Sequence, residues 1–384
     1  MPNNTYDVIV LGLGAMGSAA AYHLTKAGKR VLAIEQFGLD HTLGSSHGES
    51  RIIRYVYDDP AYIALAQHSY PLWREVELDT DVDLLSITGG LDFGHPDNPQ
   101  FTATRQALDY CEIPYEWLTP GEVAVRYPQF RLKPDDMAIY QPDGGFVRAS
   151  DAVVAQASYA QENGARLMLN TTVTDFEISP TSVTVQTSKG TMSAGALVVT
   201  AGPWTGKLLA KTGLQLPLQP TREILTFFQT EDPALFKPER CPVWIHHGET
   251  KVHYGIANAD GVSGFKVAQH GRHEPTDPDN TRRIVEPAYI AQIRAFLAQY
   301  IPKGGGILTK TYVCLYTMTP DENFIIDQHP YYPHVAIGAG FSGHGFKFST
   351  TIGKILGELA TEGYSAMNNA LFSVKRFPVA VAQK

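Results

Sequence analysis

The hydrophobic pattern at the start of the chain predicts a strand, a helix and a second strand in close succession. Residues 8–11 form a continuous apolar run, which is typical of a strand buried on both faces. Residues 15–27 are rich in alanine and predict a helix that ends at Gly28. A second apolar run at residues 31–34 predicts another buried strand. This order is typical of a parallel βαβ unit, so we expect an α/β fold.

Three glycines follow the first predicted strand with the spacing of a nucleotide-binding turn. Gly12, Gly14 and Gly17 give the pattern G-x-G-x-x-G. The first permits a tight turn, the second lets backbone N–H groups approach a pyrophosphate, and the third lets the helix pack close to the strand. Glu35 ends the second strand, where a carboxylate hydrogen-bonds a ribose 2′-OH. The sequence therefore predicts a dinucleotide site, with the phosphates at the helix N-terminus.

The pattern beyond residue 35 predicts two domains whose segments alternate along the chain. Helices are predicted at residues 62–78, 98–110, 149–163 and 287–300, the first of them broken or kinked at Pro71. An antiparallel set of strands is predicted at residues 224–229, 243–247, 251–257 and 264–270. Turns rich in Pro and Gly mark crossings between the domains near residue 140 and at residues 217–220. We predict a discontinuous Rossmann-type domain at residues 1–85, 141–219 and 312–384, and a second domain on a mixed or antiparallel sheet at residues 86–140 and 220–311.

Composition and charge limit the classes of partner. A chain of 384 residues is long enough for two domains and a buried site. Its net charge of −8, with no basic run, argues against nucleic acid and against an anionic membrane surface. The first strand begins close to the N-terminus and no apolar run approaches the roughly 20 residues that a bilayer requires, so we predict a cytoplasmic protein. Cys111, Cys241 and Cys314 show neither metal-ligand spacing nor a disulfide framework, and no metal site is predicted.

Two further stretches place cations where ligands bind in α/β sheets. The loop at residues 36–49 leads into an apolar run that contains Arg51 and Arg54, and buried arginines need an anion or a paired carboxylate. A predicted strand at residues 334–339 opens into a glycine-rich loop that precedes the last helix. Such a loop lets the backbone approach a ligand, and Lys347 would direct a positive charge at it.

Two positions allow more than one interpretation. Val173 would lie at the adenine end of the dinucleotide, and residues 201–204 would meet it at a sheet edge, although a plain turn explains residues 201–204 equally well. Lys266 alternates with Ala268 and His270 on one face of a predicted strand. From these neighbours alone, an outer, solvated face is the favoured interpretation for Lys266.

Six motifs identify a family along essentially the whole chain. They are Gly12-Leu-Gly-Ala-Met-Gly17, Gly48-Glu-Ser-Arg-Ile-Ile-Arg54, Ala201-Gly-Pro-Trp204, Cys314-Leu-Tyr-Thr317, Pro320-Asp-Glu-Asn-Phe-Ile-Ile-Asp327 and Gly340-Phe-Ser-Gly-His-Gly-Phe-Lys347. With them the sequence resembles the monomeric sarcosine oxidase family of flavoprotein amine oxidases, which includes N-methyltryptophan oxidase and peroxisomal pipecolate oxidase. The resemblance implies a fold like those of glutathione reductase and D-amino-acid oxidase. It also implies FAD, held covalently by a thioether between the flavin 8α carbon and Cys314.

The resemblance implies roles for individual residues. Arg54 and Lys347 would bind the substrate carboxylate, and Arg51 would lie beside the flavin ring. Lys266 would activate dioxygen by holding a positive charge near flavin N5. Residues expected to shape the pocket and tune substrate ionisation are Tyr254, Tyr316, His47 and His270. Residues expected to bind FAD are Cys314, Gly12, Gly14, Ala15, Met16, Gly17, Glu35, Gly44, Ser45, Ser46, Ser50, Arg51, Ile52, Val173, Ala201, Gly202, Trp204, Gly340, Ser342, Gly343, His344, Gly345, Phe346 and Lys347.

The sequence departs from the bacterial sarcosine oxidases at several positions. Where those enzymes have His, Asp, Thr and His, this chain has Ser46, Glu49, Ser50 and Tyr55, and its Ser-Ser-His-Gly pattern is nearer to the pipecolate oxidase branch. Ile245 stands about where a methionine lines the sarcosine pocket, with Trp244 and His246 beside it. These differences leave the side chain of the substrate open, but not the reaction.

We therefore expect an FAD-dependent oxidase of secondary α-amino acids with a free carboxylate, such as sarcosine or another N-methyl amino acid. Dioxygen would be reduced to hydrogen peroxide, and the imine would hydrolyse to an amino acid and an aldehyde. The alternatives are an oxidase of cyclic imino acids, L-pipecolate or L-proline, and an amino-acid dehydrogenase of the same fold, against which Lys266 argues. A flavin-binding assembly protein would need neither Arg54, Lys347 nor Lys266. We expect a monomer.

Overall fold

The computed structural model describes residues 5–378 and 380–381, and within them the chain forms eight α-helices and 22 strands. The helices are α1 (Ala15–Lys26), α2 (Pro60–Thr80), α3 (Pro99–Tyr110), α4 (Pro120–Arg126), α5 (Ala149–Glu162), α6 (Thr205–Leu209), α7 (Pro287–Tyr300) and α8 (Ser349–Glu362). The first twelve strands are β1 (Thr5–Leu11), β2 (Val31–Ile34), β3 (Arg51–Ile53), β4 (Leu85–Ile87), β5 (Gly90–Gly94), β6 (Glu116–Leu118), β7 (Met137–Gln141), β8 (Gly145–Val147), β9 (Arg166–Met168), β10 (Val173–Ile178), β11 (Val183–Thr187) and β12 (Gly190–Val199). The others are β13 (Leu214–Gln215), β14 (Gln219–Gln229), β15 (Val243–His247), β16 (Val252–Ile256), β17 (Phe265–His270), β18 (Glu274–Pro275), β19 (Ile307–Met318), β20 (Ile325–His329), β21 (Tyr332–Ala339) and β22 (Ala380–Val381).

The first sheet has eight strands and a parallel centre. Its order is β10-β11-β12-β1-β2-β9, with β21 parallel to the end of β12 and β20 beside β21. Val8 and Val10 of β1 pack in the core that includes α1 and α8, whereas Ile9 and Leu11 pack in a second core with residues of β10 and β11. Burial on both faces explains why this run is apolar at every position. The predicted βαβ unit and α/β fold are confirmed.

The second sheet has nine strands in the order β18-β14-β17-β16-β15-β5-β7-β6, with β19 beside β14. The sheet is mixed, because β15 runs parallel to β5 while the other strand pairs of the sheet are antiparallel. The four predicted antiparallel strands are β14 to β17, and the helix predicted at residues 287–300 is α7. The strands come from residues 90–141 and 219–318, so the chain leaves the first sheet, returns to it and leaves again.

The helix α2 runs from Pro60 to Thr80 without a break at Pro71, so of the break or kink that the sequence predicted there, the break is wrong. An interior proline costs about 3 kcal/mol, whereas each large apolar side chain that is buried contributes about 1.5–3 kcal/mol. Leu65, Trp73 and Val76 are all buried, so packing outweighs the missing hydrogen bond. The indole Nε1 of Trp73 also donates to the carbonyl of Lys347 at 2.8 Å, which ties α2 to the loop after β21.

None of the helices in residues 5–378 combines the length and the apolar composition that crossing a bilayer requires.

Two histidines lie opposite each other on β15 and β16, beneath α7. His246 pairs with His253 across the strands, and the ring of His253 stacks on Phe296 with centroids 4.1 Å apart. Burial lowers the pKa of His246 to about 3 and that of His253 to about 4. The folded protein therefore keeps both rings neutral at pH values where an unfolded histidine gains a proton.

We predict that this pair makes the fold sensitive to acid. Since the folded pKa of His253 lies below the unfolded value of about 6.5, the unfolded chain binds more protons as the pH falls from about 6.5 towards 4, and stability is lost through that window. In His253→Leu, the loss of unfolding free energy between pH 7 and pH 5 should shrink by roughly 1–2 kcal/mol. Urea unfolding followed by circular dichroism at both pH values measures this loss. His68→Leu, at an exposed position of α2, is the control; an equal acid sensitivity in both variants would contradict the prediction.

Candidate active site

A cavity of about 1230 Å³ extends from the turn after β1 to the second sheet. One end is lined by the ends of β1, β2 and β12, and the other by residues of β15, β16, β19 and the loop after β21. Small-ligand sites usually measure about 300–1000 Å³, so this cavity has room for a dinucleotide together with a substrate.

The glycine turn brings three backbone segments into close approach at the first end. Gly12 has φ +92°, and a Cβ there would lie 2.6 Å from the carbonyl oxygen of Thr200 at the end of β12. A Cβ on Gly17 would overlap the carbonyl oxygen of Gly12. Only glycine fits at either position, so the predicted tight turn and close helix–strand packing are confirmed.

Polar groups hold the helix N-terminus and the end of β2 at the cavity edge. The hydroxyl of Ser46 accepts a hydrogen bond from the Ala15 N–H at 2.9 Å. The buried carboxylate of Glu35 accepts from the N–H groups of Leu13 at 2.8 Å and Phe37 at 3.0 Å. An acid fixed beside the first turn of α1 fits a ribose, and the free N–H groups of that turn fit a pyrophosphate.

Most of the predicted cofactor residues line this cavity. They are Gly12, Gly14, Ala15, Met16, Glu35, Gly44, Ser45, Ser46, Arg51, Ile52, Val173, Ala201, Gly202, Trp204, Cys314, Gly340, Gly343, His344, Gly345, Phe346 and Lys347. Gly17, Ser50 and Ser342 lie behind its wall instead. Gly17 permits the packing of α1, the Ser50 carbonyl accepts hydrogen bonds from two cations, and the Ser342 hydroxyl accepts from the Thr319 N–H at 3.3 Å.

Two cations share one backbone oxygen behind the middle of the cavity. Lys266 Nζ donates to the carbonyl of Ser50 at 2.7 Å, and Arg51 Nη1 donates to the same oxygen at 2.9 Å. Lys266 is only 1% exposed, so the expectation of a solvated outer face is wrong. Burial, together with the charge of Arg51, lowers the pKa of Lys266 to about 7. The strand alternation of β17 alone could not show which face the other elements cover.

The three cysteines have different surroundings. Cys314, on β19, is buried with a free thiol and lines the cavity near Tyr254 and Tyr316. Burial raises its pKa, against the opposing effect of Arg51. Cys241 lies in the apolar core of the second sheet, and Cys111 is half-buried beside α3. In the described part of the chain, no group of three or more His, Cys, Asp or Glu side chains is arranged to hold a metal ion.

The far end of the cavity brings Arg54 and Lys347 to one aromatic ring. Lys347 Nζ donates to the Tyr57 hydroxyl and to the His344 carbonyl, each at 2.7 Å. The Tyr57 ring centroid is 5.1 Å from the Arg54 guanidinium and 5.2 Å from Lys347 Nζ. Burial, and then the charge of Arg54, lowers the pKa of Lys347 well below its usual value. An anion that enters here would meet two donors and relieve their repulsion.

The other predicted pocket residues are also at the cavity. His270 lies between Tyr316 and Tyr254, with ring centroids 5.6 Å and 6.4 Å away. Burial lowers the pKa of His270 to about 4, with Lys347 acting in the same direction. Burial likewise lowers the pKa of His47 to about 3, helped by Arg51. Both rings are therefore neutral at neutral pH.

The structure adds Tyr57, Asp92 and His247, which the sequence analysis did not single out. Asp92, on β5, is 1% exposed; its Oδ1 accepts from Arg54 Nη1 at 2.8 Å and lies 3.0 Å from His247 Nε2. Arg54 therefore has a carboxylate partner within the protein. The sequence of residues 90–94 could have indicated Asp92, because a single acid interrupts a run of Gly, Leu and Phe. A buried acid requires a hydrogen-bonding or charged partner.

Neighbouring residues of β15 face in opposite directions. Ile245 and His247 line the cavity, whereas Trp244 and His246 pack against Phe296 of α7. Because side chains alternate along a strand, Ile245 reaches the cavity and its sequence neighbours Trp244 and His246 do not.

Comparison with known proteins agrees with this geometry. The FAD dependent oxidoreductase family (DAO) matches residues 7–359. The monomeric sarcosine oxidase of Bacillus sp. (strain NS-129) is 37% identical over 97% of this chain and 97% of its own length. The peroxisomal sarcosine oxidase of Homo sapiens is 33% identical over 97% and 96%, and the N-methyl-L-tryptophan oxidase of Yersinia pestis (strain Pestoides F) is 32% identical over 97% and 99%.

Solved structures share the architecture. NikD, an unusual amino acid oxidase essential for nikkomycin biosynthesis, superposes with a TM-score of 0.84 at 26% identity, covering 96% of this chain and 97% of NikD. L-proline dehydrogenase from P. horikoshii gives a TM-score of 0.85 over 97% of each chain, and at 23% identity shows the fold alone. The chain belongs to the FAD dependent oxidoreductase family and is an amine-oxidising flavoenzyme.

Proposed function

We propose that the protein oxidises a secondary α-amino acid with a free carboxylate, such as sarcosine or another N-methyl amino acid, and uses dioxygen as the electron acceptor. The observation that carries this proposal is the convergence of Arg54 and Lys347 on Tyr57 in the cavity that begins at the nucleotide turn. Relatives named as sarcosine and N-methyl-L-tryptophan oxidases support it. Bound FAD would take a hydride equivalent from a carbon next to the substrate nitrogen and pass the electrons to dioxygen as hydrogen peroxide. The imine would then hydrolyse to an amino acid and an aldehyde.

We propose that residues 1–85, 141–219 and 312–384, which contain the first sheet, hold the FAD, and that residues 86–140 and 220–311 form the substrate domain. The proposed boundary at residue 312 lies within β19, a strand of the second sheet. Gly14 and the N-terminus of α1 would hold the pyrophosphate and Glu35 a ribose hydroxyl. Cys314 would form the thioether to the flavin, since among the three cysteines it alone lines the cavity.

The charges at the far end of the cavity suit an amino acid. Arg54 Nη1 is engaged by Asp92 and by the carbonyl of Val56, which leaves the other N–H groups of the guanidinium for a substrate carboxylate. Arg54 and Lys347, with the neutral ring of His270 beside them, disfavour a positive charge on the substrate nitrogen. They would therefore favour the uncharged amine, the form with an electron pair available for oxidation.

The buried charge of Lys266 suits dioxygen. As electrons reach dioxygen, negative charge develops, and a fixed cation in a water-excluded site stabilises it without reorganisation. Lys266 and Arg51 are held together by the Ser50 carbonyl for this purpose.

We predict that flavin stays with the polypeptide after acid precipitation, because a thioether at Cys314 survives unfolding. The absorbance of the washed pellet, dissolved in denaturant, measures it. Cys314→Ala should release the flavin into the supernatant, whereas Cys111→Ala, which changes a thiol outside the cavity, should not. Free flavin from the unmodified protein would exclude covalent attachment.

We predict that Lys266→Met separates the two half-reactions. Anaerobic reduction by substrate should change only a few-fold. Reoxidation by dioxygen should slow by roughly two to three orders of magnitude, because one preorganised charge contributes about 3–4 kcal/mol to the transition state. Stopped-flow absorbance measures both steps. The control is Lys310→Met; the Lys310 side chain is 38% exposed, and its ammonium pairs with Glu49 at 2.6 Å. Equal slowing of both steps by Lys266→Met would assign the lysine to binding or folding.

We predict that the protein releases peroxide from sarcosine but not from its methyl ester. Lys347→Met, or Arg54→Lys, which keeps a cation for Asp92, should raise the dissociation constant of acetate roughly ten- to hundredfold, since a charged hydrogen bond contributes about 1.5–3 kcal/mol. The flavin spectrum reports acetate binding. Lys251→Met, at an exposed lysine of the same cavity, should bind acetate as the unmodified protein does. Equal activity on acid and ester would refute the carboxylate clamp.

A further inference from the structure

A polar wall continues from the carboxylate clamp towards the mouth of the cavity, and the proposed reaction gives it no role. His247, Gln100, Thr104 and Asn98 line this part of the cavity, and we call them the His247 wall. It adjoins the clamp directly, because Asp92 Oδ1 is within hydrogen-bond distance of both Arg54 and His247. Sarcosine has no side chain that would reach such a wall.

Asp92 sets the hydrogen-bond polarity of the His247 ring. An ionised carboxylate only accepts hydrogen bonds, so Nε2 of His247, 3.0 Å from Asp92 Oδ1, carries the proton and donates. With its one N–H on Nε2, the imidazole keeps a lone pair on Nδ1, and the side chain is only 6% exposed. Nδ1 is therefore left as an acceptor.

The partner of this acceptor is replaceable. Nδ1 lies 3.3 Å from Oε1 of Gln100. The oxygen and nitrogen of a carboxamide are exchanged by a 180° rotation, which would place the NH2 group of Gln100 at Nδ1 as a donor. Gln100 is exposed at the start of α3, whereas His247 is buried and held by the edge-on ring of Phe101 at 5.2 Å. A ligand that brings its own donor can take the place of Gln100 on a ring that does not move.

The charges around the wall limit what that donor is. Arg54 and Lys347 are balanced by Asp92 and by the carboxylate of a bound amino acid, so a further charge beside His247 would be buried without a partner. We infer that the substrate carries a side chain with a neutral hydrogen-bond donor, a hydroxyl or a carboxamide, and that Nδ1 of His247 accepts from it. This inference rests on the proposed oxidation of N-methyl amino acids. It specifies which N-methyl amino acids are substrates, namely those with a neutral hydrogen-bond donor in the side chain.

Matched substrate pairs test the inference on the holoenzyme. The kcat/KM for N-methyl-L-serine should exceed that for N-methyl-L-2-aminobutyrate at least tenfold, and the same ratio should hold for N-methyl-L-glutamine over N-methyl-L-homoleucine. The members of each pair have nearly the same shape, and a site with an unpaired acceptor rejects the analogue that lacks the donor. N-Methyl-L-ornithine should be poorer than N-methyl-L-glutamine, because its side chain is charged.

Two variants locate the effect. His247→Phe keeps a ring but removes the acceptor, so both ratios should fall to about one. Ile245→Val changes the neighbouring apolar part of the cavity on the same strand and should leave both ratios as they are. Each ratio is taken within one variant, so a change in overall activity does not affect it. Gln100→Ala should preserve or increase the ratios, because the substrate replaces this side chain.

Binding measurements separate the inference from the proposed function. The carboxylates 3-hydroxypropanoate and butanoate match the first substrate pair without the amine, and the flavin spectrum gives their dissociation constants. The hydroxyl compound should bind at least fivefold tighter, and this preference should disappear in His247→Phe. If the protein releases no peroxide with sarcosine or with any N-methyl amino acid, the proposed function fails. The binding of 3-hydroxypropanoate and butanoate still decides the inference. Ratios near or below one in the unmodified protein, a preference for the cationic substrate, or a preference that survives His247→Phe would overturn the inference.

Discussion

The burial of four cations, three at the wall of one cavity and Lys266 behind it, is the constraint on which the rest of this site depends. Arg51, Arg54, Lys266 and Lys347 all lose most of their contact with water, and backbone carbonyls replace it. Carbonyl oxygens satisfy N–H donors but carry no full negative charge, and within the described part of the chain only Arg54 of the four cations has a carboxylate partner, Asp92, so part of the repulsion remains. Burial, and then the repulsion from the neighbouring arginine, lowers the pKa of Lys266 and of Lys347. Such a site would suit groups that bring negative charge, namely a carboxylate and reduced dioxygen.

The fold supplies these carbonyls from tight loops that large buried elements hold in place. The loop that carries Lys347 is fixed by the Trp73 indole of α2 on one side and by Ser342, with φ +44°, on the other. A Cβ on Gly343 would overlap the ring of Tyr316, so the loop also lies directly against β19. A loop held on three sides keeps the lysine ammonium in position at little entropic cost on binding.

Local features of the site were predictable from sequence, and features that depend on pairing between distant strands were not. The glycine turn, α1 and Glu35 lie within one βαβ unit, so spacing and hydrophobic pattern were sufficient. The ammonium of Lys266 is buried against the carbonyl of Ser50, 216 positions away in the chain, and the alternation within one strand does not reveal such a contact. Asp92 meets His247 only because β5 pairs with β15, whose residues lie more than 150 positions further along the chain. Side-chain chemistry suggested that Arg54 needs an anion or a paired carboxylate, but not that Asp92 is the partner.

The presence of Asp92 changes what the clamp recognises. Without an internal carboxylate, Arg54 and Lys347 would attract any anion, and the free energy of binding would come mainly from charge. With Asp92 on Nη1, the guanidinium is partly neutralised and fixed in direction, so a ligand gains less from its charge and more from fitting the remaining N–H groups. The choice between ligands then depends more on neutral hydrogen bonds beside the clamp. A buried imidazole with one nitrogen committed to Asp92 is such a contact, since leaving its other nitrogen unpaired costs free energy that only a correctly placed donor recovers.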